Sequence, residues 1–248
     1  MKHVNYIGGD PMNQADFEEA REAEASYHNE LYSEFEILEP GTWMSEPNLI
    51  VMELLDRLME YKQNLHVLDL GCGAGRNTIP VAVRLKETES KVVGLDLLNG
   101  AIDKLRENAK EYGVTDIVEA QEVDVEHADM SKDYYDYILA CGCLEHVSSE
   151  EALIQVLERM KHGTQLGGIH YISMNSEIEE VERDTGRKLE PLIELNLPTE
   201  KAYAILEKVY DGWNVLERKT IIQSVDEEKY DTPTQFRSQS ITFAVQKI

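Results

Sequence analysis

Cysteine, basic residues and long apolar runs are what this 248-residue sequence has least of. Each shortage excludes something. The three cysteines, Cys72, Cys141 and Cys143, are odd in number and do not form the framework of a small secreted, disulfide-bonded protein. They read as reduced thiols of a cytosolic protein. No apolar run approaches the roughly 20 residues that a membrane span requires. The N-terminal Met1–Tyr6 stretch has no apolar signal-peptide core, so the expected location is cytoplasmic. Lys and Arg number 24 against 48 Asp and Glu, a formal charge of −24, and no dense basic cluster occurs. Such a field repels phosphate backbones and anionic lipid, so neither nucleic acid nor membrane is an expected partner. What is present is ordinary globular material, 42% hydrophobic and 29% charged.

Residues 13–36 are rich in Glu and Ala, with Phe17, Ala20, Leu31, Tyr32 and Phe35 interspersed. They read as one or two amphipathic helices whose acids form a solvated face. Glu39–Pro47 breaks the pattern as a loop. Residues 1–47 are therefore expected to form a helical N-terminal extension, and 48–248 the main domain. Asn48 caps a predicted helix carrying Leu49, Met52, Leu55, Leu58 and Met59. From Leu65 strands and helices alternate. Strands are predicted at 65–70, 91–95, 117–123, 135–141 and 168–174. Helices are predicted at 76–86, 101–112 (closed by Gly113) and 150–161. This alternation implies an α/β fold whose parallel sheet is covered on both faces. After a helix near 199–210, two β-rich runs, 214–225 and 240–245, read as an antiparallel hairpin around a polar loop, 226–238.

The first strand ends in Asp69-Leu70-Gly71-Cys72-Gly73-Ala74-Gly75 and enters a helix. Glycine there permits positive φ and lets backbone N–H groups approach a ligand. A dinucleotide-binding loop would carry a third glycine where Arg76 stands. Asp69 would repel a pyrophosphate and attract a sulfonium cation bearing an α-amino group. Asp96, ending the second strand, suits ribose hydroxyls, and Asp124, after the third, suits an adenine amino group. Each has a plainer role open to it, a helix cap for Asp96 and a turn for Asp124. Cys141-Gly142-Cys143 follows the fourth strand at the mouth of the cleft. The three thiols could converge on a soft metal, but Cys141-x-Cys143 lacks the usual zinc spacing and no metal is expected.

The segments VLDLGCGAGRN, VVGLD, EVDV and YDYILACGCLEHV resemble the successive motifs of class I S-adenosylmethionine-dependent methyltransferases. The resemblance runs from about Leu65 to Met174. It implies a Rossmann-like, seven-stranded, mostly parallel sheet whose terminal hairpin supplies the antiparallel strands. It implies S-adenosylmethionine as cofactor, with S-adenosylhomocysteine as product. By it, Asp69, Gly71, Cys72 and Gly73 hold the methionine part, with Arg76 and Asn77 as further cofactor-binding residues. Asp96 and Leu97 hold the ribose, Asp124 and Val125 the adenine, and Cys141 and Gly142 line the floor. Arg76-Asn77 and the ending YDGWNVLERKTI…ITFAVQK also look like bacterial tellurite-resistance methyltransferases. That narrower likeness implies a small oxyanion acceptor, with Arg76, Arg183, Arg187 and Lys188 as candidate cations.

Methyl transfer needs a general base only where the acceptor must lose a proton. His146, just past the fourth strand, is the candidate, its ordinary pKa near 6.5 suiting the role; packing against the next helix is its structural alternative. Tyr27 and His28 approach from the extension, which is expected to act as a lid. Trp43 and Met44 offer an apolar wall, aromatic faces also favouring a sulfonium. The expected partner is a small-molecule acceptor. The rival readings are a nicotinamide-dependent oxidoreductase and a module that binds S-adenosylmethionine without transferring its methyl group.

Overall fold

The computed structural model describes residues 14–227 and 232–248. In chain order the elements are α1 (Gln14–Glu34), α2 (Leu49–Met59), β1 (His66–Leu70), α3 (Thr78–Arg84), β2 (Lys91–Asp96), α4 (Asn99–Glu111) and β3 (Val118–Glu122). They continue with β4 (Tyr135–Cys141), α5 (Glu150–Gly163), β5 (Thr164–Glu182), β6 (Lys188–Leu189), α6 (Thr199–Val209), β7 (Asn214–Glu227) and β8 (Thr234–Gln246). One sheet runs β3-β2-β1-β4-β5-β8-β7, with β6 paired to the outer end of β5. The first five strands of that order are mutually parallel. β8 and β7 are antiparallel additions at the β5 edge.

Local chemistry accounts for the element boundaries. Asn48 caps α2 by accepting from Ile50 and Val51 N–H groups. Ser149 caps α5, whose first turn holds Glu150 and Glu151 and whose last turn holds Lys161 and His162, each charge complementing the helix dipole. Pro80 falls in the first turn of α3, where its missing N–H costs no helical bond. Gly113 adopts φ +64° just past α4, the left-handed stop a helix favours. The apolar faces of α5 and α6 pack on one side of the sheet and those of α2, α3 and α4 on the other. Tyr32 of α1 joins the second cluster.

Among the described residues eight strands replace the seven expected, the extra one being the two-residue β6. The larger difference is length. The fifth strand, expected over 168–174, spans 19 residues, and most of the expected polar loop 226–238 is strand in β7 and β8. These outer halves read as loop because they are polar: Ser173–Glu182 and Gln235–Ser240 carry few consecutive apolar residues. A bulge between Ser176 and Glu179, with Glu177 at φ +48°, separates the two halves of β5. α1 is a single helix, and α3 is shorter than the 76–86 expected.

Candidate active site

A cleft of about 900 Å³ opens at the carboxyl ends of β1 to β4 and continues along β5, β8 and β7, with α1 along its rim. Open α/β sheets bind ligands at this end of their strands. Gly71 and Gly73 sit at φ +65° and +53°. A Cβ on Gly71 would lie 2.4 Å from the Cβ of Cys143, and one on Gly73 would lie 2.6 Å from the Tyr32 hydroxyl. Both conformation and space therefore require glycine.

Asp69 is buried at the head of this loop. Its Oδ2 accepts from the Thr78 hydroxyl at 2.6 Å, while its Oδ1 has no hydrogen-bond partner among the described residues. Burial pushes its carboxyl up to about 7, with the Thr78 bond opposing and Asp96 adding to the rise. Asp96 accepts from the backbone N–H groups of Gly73 (2.8 Å) and Leu98 (2.9 Å), one on each oxygen. It thus ties the glycine loop to the end of β2, and each oxygen keeps a lone pair for a ligand hydroxyl. Leu97 is exposed beside it and Val125 is buried beneath Asp124. Asp124 caps the turn after β3 by accepting from Glu126 N–H, and its Oδ2 receives the Arg21 guanidinium at 2.8 Å.

Cys141 and Gly142 line the cleft floor at the end of β4. Burial raises all three thiols, so they remain protonated. No group of three His, Cys, Asp or Glu among the described residues is placed to hold a metal ion. Asn77 spends its Oδ1 on the Asn48 N–H, and the Arg76 Nε donates to the Glu46 carbonyl. The Arg76 guanidinium also stands 5.5 Å from the Trp43 ring centre. Both side chains are thus engaged in fastening the 42–48 segment to the glycine loop. Trp43 is exposed at the rim, and Met44, packed in the core, also borders the cleft.

His146 differs most from expectation. Its Nδ1 lies 2.9 Å from Glu194 and its Nε2 3.6 Å from Glu24. Burial pulls its pKa down, but the hydrogen bond to Glu194 and the charges of Glu24, Glu194 and Glu145 prevail and set it at about 9. At neutral pH it is an imidazolium, and the base role argued from a value near 6.5 has no basis here. His28 and Tyr27 do line the cleft, His28 bonding Glu24 at 2.8 Å.

Sequence reasoning missed Arg21 and Glu24, because the acids of α1 read as a solvated face. Their signal was present: Arg21, Glu24, His28, Leu31 and Phe35 recur at helical spacing and all line the cleft. Arg21 reaches Asp124, the His146 carbonyl at 3.5 Å and Glu194 at 3.5 Å. Also missed were Glu145 and Glu194, both buried. The cations expected to draw an oxyanion are already neutralised, except Arg76. Arg183 pairs with Asp226, Arg187 with Glu182 and Lys188 with Glu179, all at the outer end of β5.

Residues 67–168 match the family described as a methyltransferase domain. A curated relative, an uncharacterized protein of Rickettsia prowazekii, is 32% identical over 116 residues, which are 46% of this chain and 20% of that protein. The chain thus spans about a fifth of the length of that relative. Among solved structures, TehB from Haemophilus influenzae aligns with TM-score 0.58 and 18% identity, covering 79% of this chain and 62% of TehB. The Burkholderia thailandensis 1,6-didemethyltoxoflavin-N1-methyltransferase, solved with its substrate and S-adenosylhomocysteine, aligns with TM-score 0.55 and 14% identity, covering 97% and 93%. The sheet order, the glycine loop and these likenesses show the Rossmann-like fold shared with S-adenosylmethionine-dependent methyltransferases of known structure.

Proposed function

We propose that this chain transfers a methyl group from S-adenosylmethionine to a small-molecule acceptor. The observation that carries the reading is the buried Asp69 Oδ1, left without a partner at the head of a loop that only glycines can form. A buried acceptor oxygen without a donor is costly, and the α-amino group of the cofactor is the donor it suits. The methyltransferase-domain match and the S-adenosylhomocysteine bound in the Burkholderia structure agree with that choice.

When bound, S-adenosylmethionine supplies an electrophilic methyl group on a sulfonium. The remaining work falls to the chain. Asp69 and Gly71–Gly73 hold the methionine end, and Asp96 with Leu97 takes the ribose hydroxyls. Asp124 and Val125 meet the adenine, Asp124 being shared with Arg21. Cys141 and Gly142 form the floor. Arg76 and Asn77 act through the loop they fasten rather than by touching the ligand. Of the expected 1–47 extension, residues 1–13 lie outside the described residues; residues 14–47 serve as a lid, whose α1 excludes water from the cleft and aligns the acceptor, a contribution of several kcal/mol in oriented reactions. His146, as a cation, fastens Glu24 of the lid to Glu194 of the opposite wall. A cleft of about 900 Å³ lies at the upper end of ligand-site volumes and leaves room for an acceptor beside the cofactor.

Calorimetry with S-adenosylhomocysteine tests the reading. The intact chain should bind it and not NADH. Asp96→Ala should weaken binding by about 1–3 kcal/mol through loss of charge-assisted bonds. Binding of NADH alone, or unchanged affinity in Asp96→Ala, overturns the assignment.

A further inference from the structure

The cleft has a second half that the cofactor positions do not use. The proposed cofactor residues follow β1, β2, β3 and β4, whereas the far wall is built by the long outer halves of β5, β8 and β7. There Ile178, Ile221, Val225 and Phe236 line the cleft. Ile221 and Val225 remain exposed, which suits the apolar body of a ligand.

Where the two halves meet stands Glu145, 2% exposed and part of the cleft wall. Its Oε1 accepts two hydrogen bonds from Asn175, from the backbone N–H at 2.9 Å and from Nδ2 at 3.0 Å. Asn175 is itself fixed by the Ser238 hydroxyl, which donates to its Oδ1 at 2.9 Å. The carboxylate is therefore held by one oxygen, and its Oε2 has no hydrogen-bond partner among the described residues. An oriented carboxylate with one oxygen unused is the arrangement of a general base whose partner is the substrate.

We propose that Glu145 is the acceptor-side base of this cleft, and that the acceptor is an amine with an apolar body whose ammonium form docks on Oε2 and yields its proton there. In that step an N–H bond breaks and its electron pair stays on nitrogen. An O–H bond forms on Oε2, and the proton later passes to solvent. The lone pair so exposed is what an electrophilic methyl group requires. The inference rests on the methyltransferase reading above. Burial raises the Glu145 carboxyl above its ordinary range, against the opposing charge of His146 and the bonds from Asn175. Such a shift makes a carboxylate a stronger base near neutral pH.

The test is calorimetry on the full chain, first with S-adenosylhomocysteine and then, in that complex, with benzylamine, benzyl alcohol and benzoate. Wild type should bind benzylamine at least tenfold more tightly than benzyl alcohol and show no measurable affinity for benzoate. Glu145→Gln retains a carbonyl oxygen for Asn175. It should bring benzylamine and benzyl alcohol within twofold of each other, with S-adenosylhomocysteine affinity changed by less than twofold. Equal or tighter binding of benzyl alcohol or benzoate by wild type overturns the proposal, and this comparison stands even where the variant does not fold. So does a benzylamine preference that survives in Glu145→Gln, or a tenfold loss of S-adenosylhomocysteine affinity, which would move Glu145 to the cofactor site. Failure of wild type to bind S-adenosylhomocysteine instead overturns the methyltransferase reading itself, whatever the amines do.

Discussion

Asp69 makes cofactor binding depend on pH in a way that can be worked out beforehand. Its carboxyl is raised to about 7 because the group is buried, with one oxygen bonded to Thr78 and the other to no described residue. A cationic α-amino group favours the ionised form, so binding must expel whatever proton Asp69 carries. With half the population protonated near neutrality, about half a proton is released per ligand bound at pH 7. Over pH 5.5 to 7.5 the ionised fraction rises from roughly 3% to roughly 75%, which translates into a gain in affinity of roughly 25-fold. Calorimetric titrations of S-adenosylhomocysteine in buffers of different ionisation enthalpy measure both quantities. Asp96 is also raised by burial and faces the same loop, so the comparison with Asp69→Asn isolates the contribution. That variant should bind at least tenfold more weakly at pH 7.5 and lose most of the slope. In the free protein it should raise stability at that pH, since the ionised buried carboxylate is removed. A flat affinity profile in wild type, or the same slope in Asp69→Asn, refutes the assignment of Asp69 to the amino group.

Two further outcomes follow from geometry and charge. Gly71→Ala places a Cβ 2.4 Å from that of Cys143 at φ +65°, and should destabilise the fold by at least about 1–3 kcal/mol, read as a lowered thermal midpoint. His146, raised to about 9, contributes stability that is fully present below its unfolded value near 6.5 and is lost as pH rises through 9. Wild type should therefore exceed His146→Gln by about 2 kcal/mol at pH 6, allowing for partial solvent exposure of the ring. The gap should close by pH 10; a gap that widens with pH in urea denaturation contradicts the imidazolium assignment.

The parts of this fold that were legible in the sequence are those whose signal is local. The strand Leu65–Leu70, the glycines after it and Asp96 and Asp124 at the following strand ends all announce themselves within a few residues. Their conformations follow from glycine geometry and from apolar runs long enough to be buried strands. The outer halves of β5, β7 and β8 were not legible, because a strand that overhangs a cleft is half-exposed and keeps a polar composition. The protonation of His146 was hidden for a different reason. It is set by Glu24 and Glu194, which lie 122 positions before it and 48 after it, and no spacing rule links residues that meet only through the fold. Glu145 was passed over beside a histidine of more familiar chemistry; only its burial and its unused oxygen distinguish it.

The charge of the whole chain acquires a local meaning in the cleft. A surplus of 24 acidic residues, spread over a surface, says little beyond solubility and the exclusion of polyanions. Here, among the described residues, seven carboxylates from Glu24 to Glu194 line one cavity, against two arginines and the charged His146. Of these, Asp96 and Asp124 are bonded to backbone N–H groups that shape the ligand loops, and Glu24 and Glu194 are held by histidine or arginine. Asp69 and Glu145 each keep an oxygen without a partner among the described residues, Asp69 on β1 and Glu145 bonded to Asn175 of β5, the two strands that flank β4. Two buried carboxylates with unused oxygens, one beside the glycine loop and one beside β5, ask for two separate hydrogen-bond donors. In the proposals made above, a methionine α-amino group is the donor for the first, and a protonated nitrogen on the acceptor the donor for the second. The same reasoning separates fold from substrate. In the reading proposed above, the loops after β1 to β4 hold the donor, and the β5–β8–β7 wall with α1 is left to meet the acceptor.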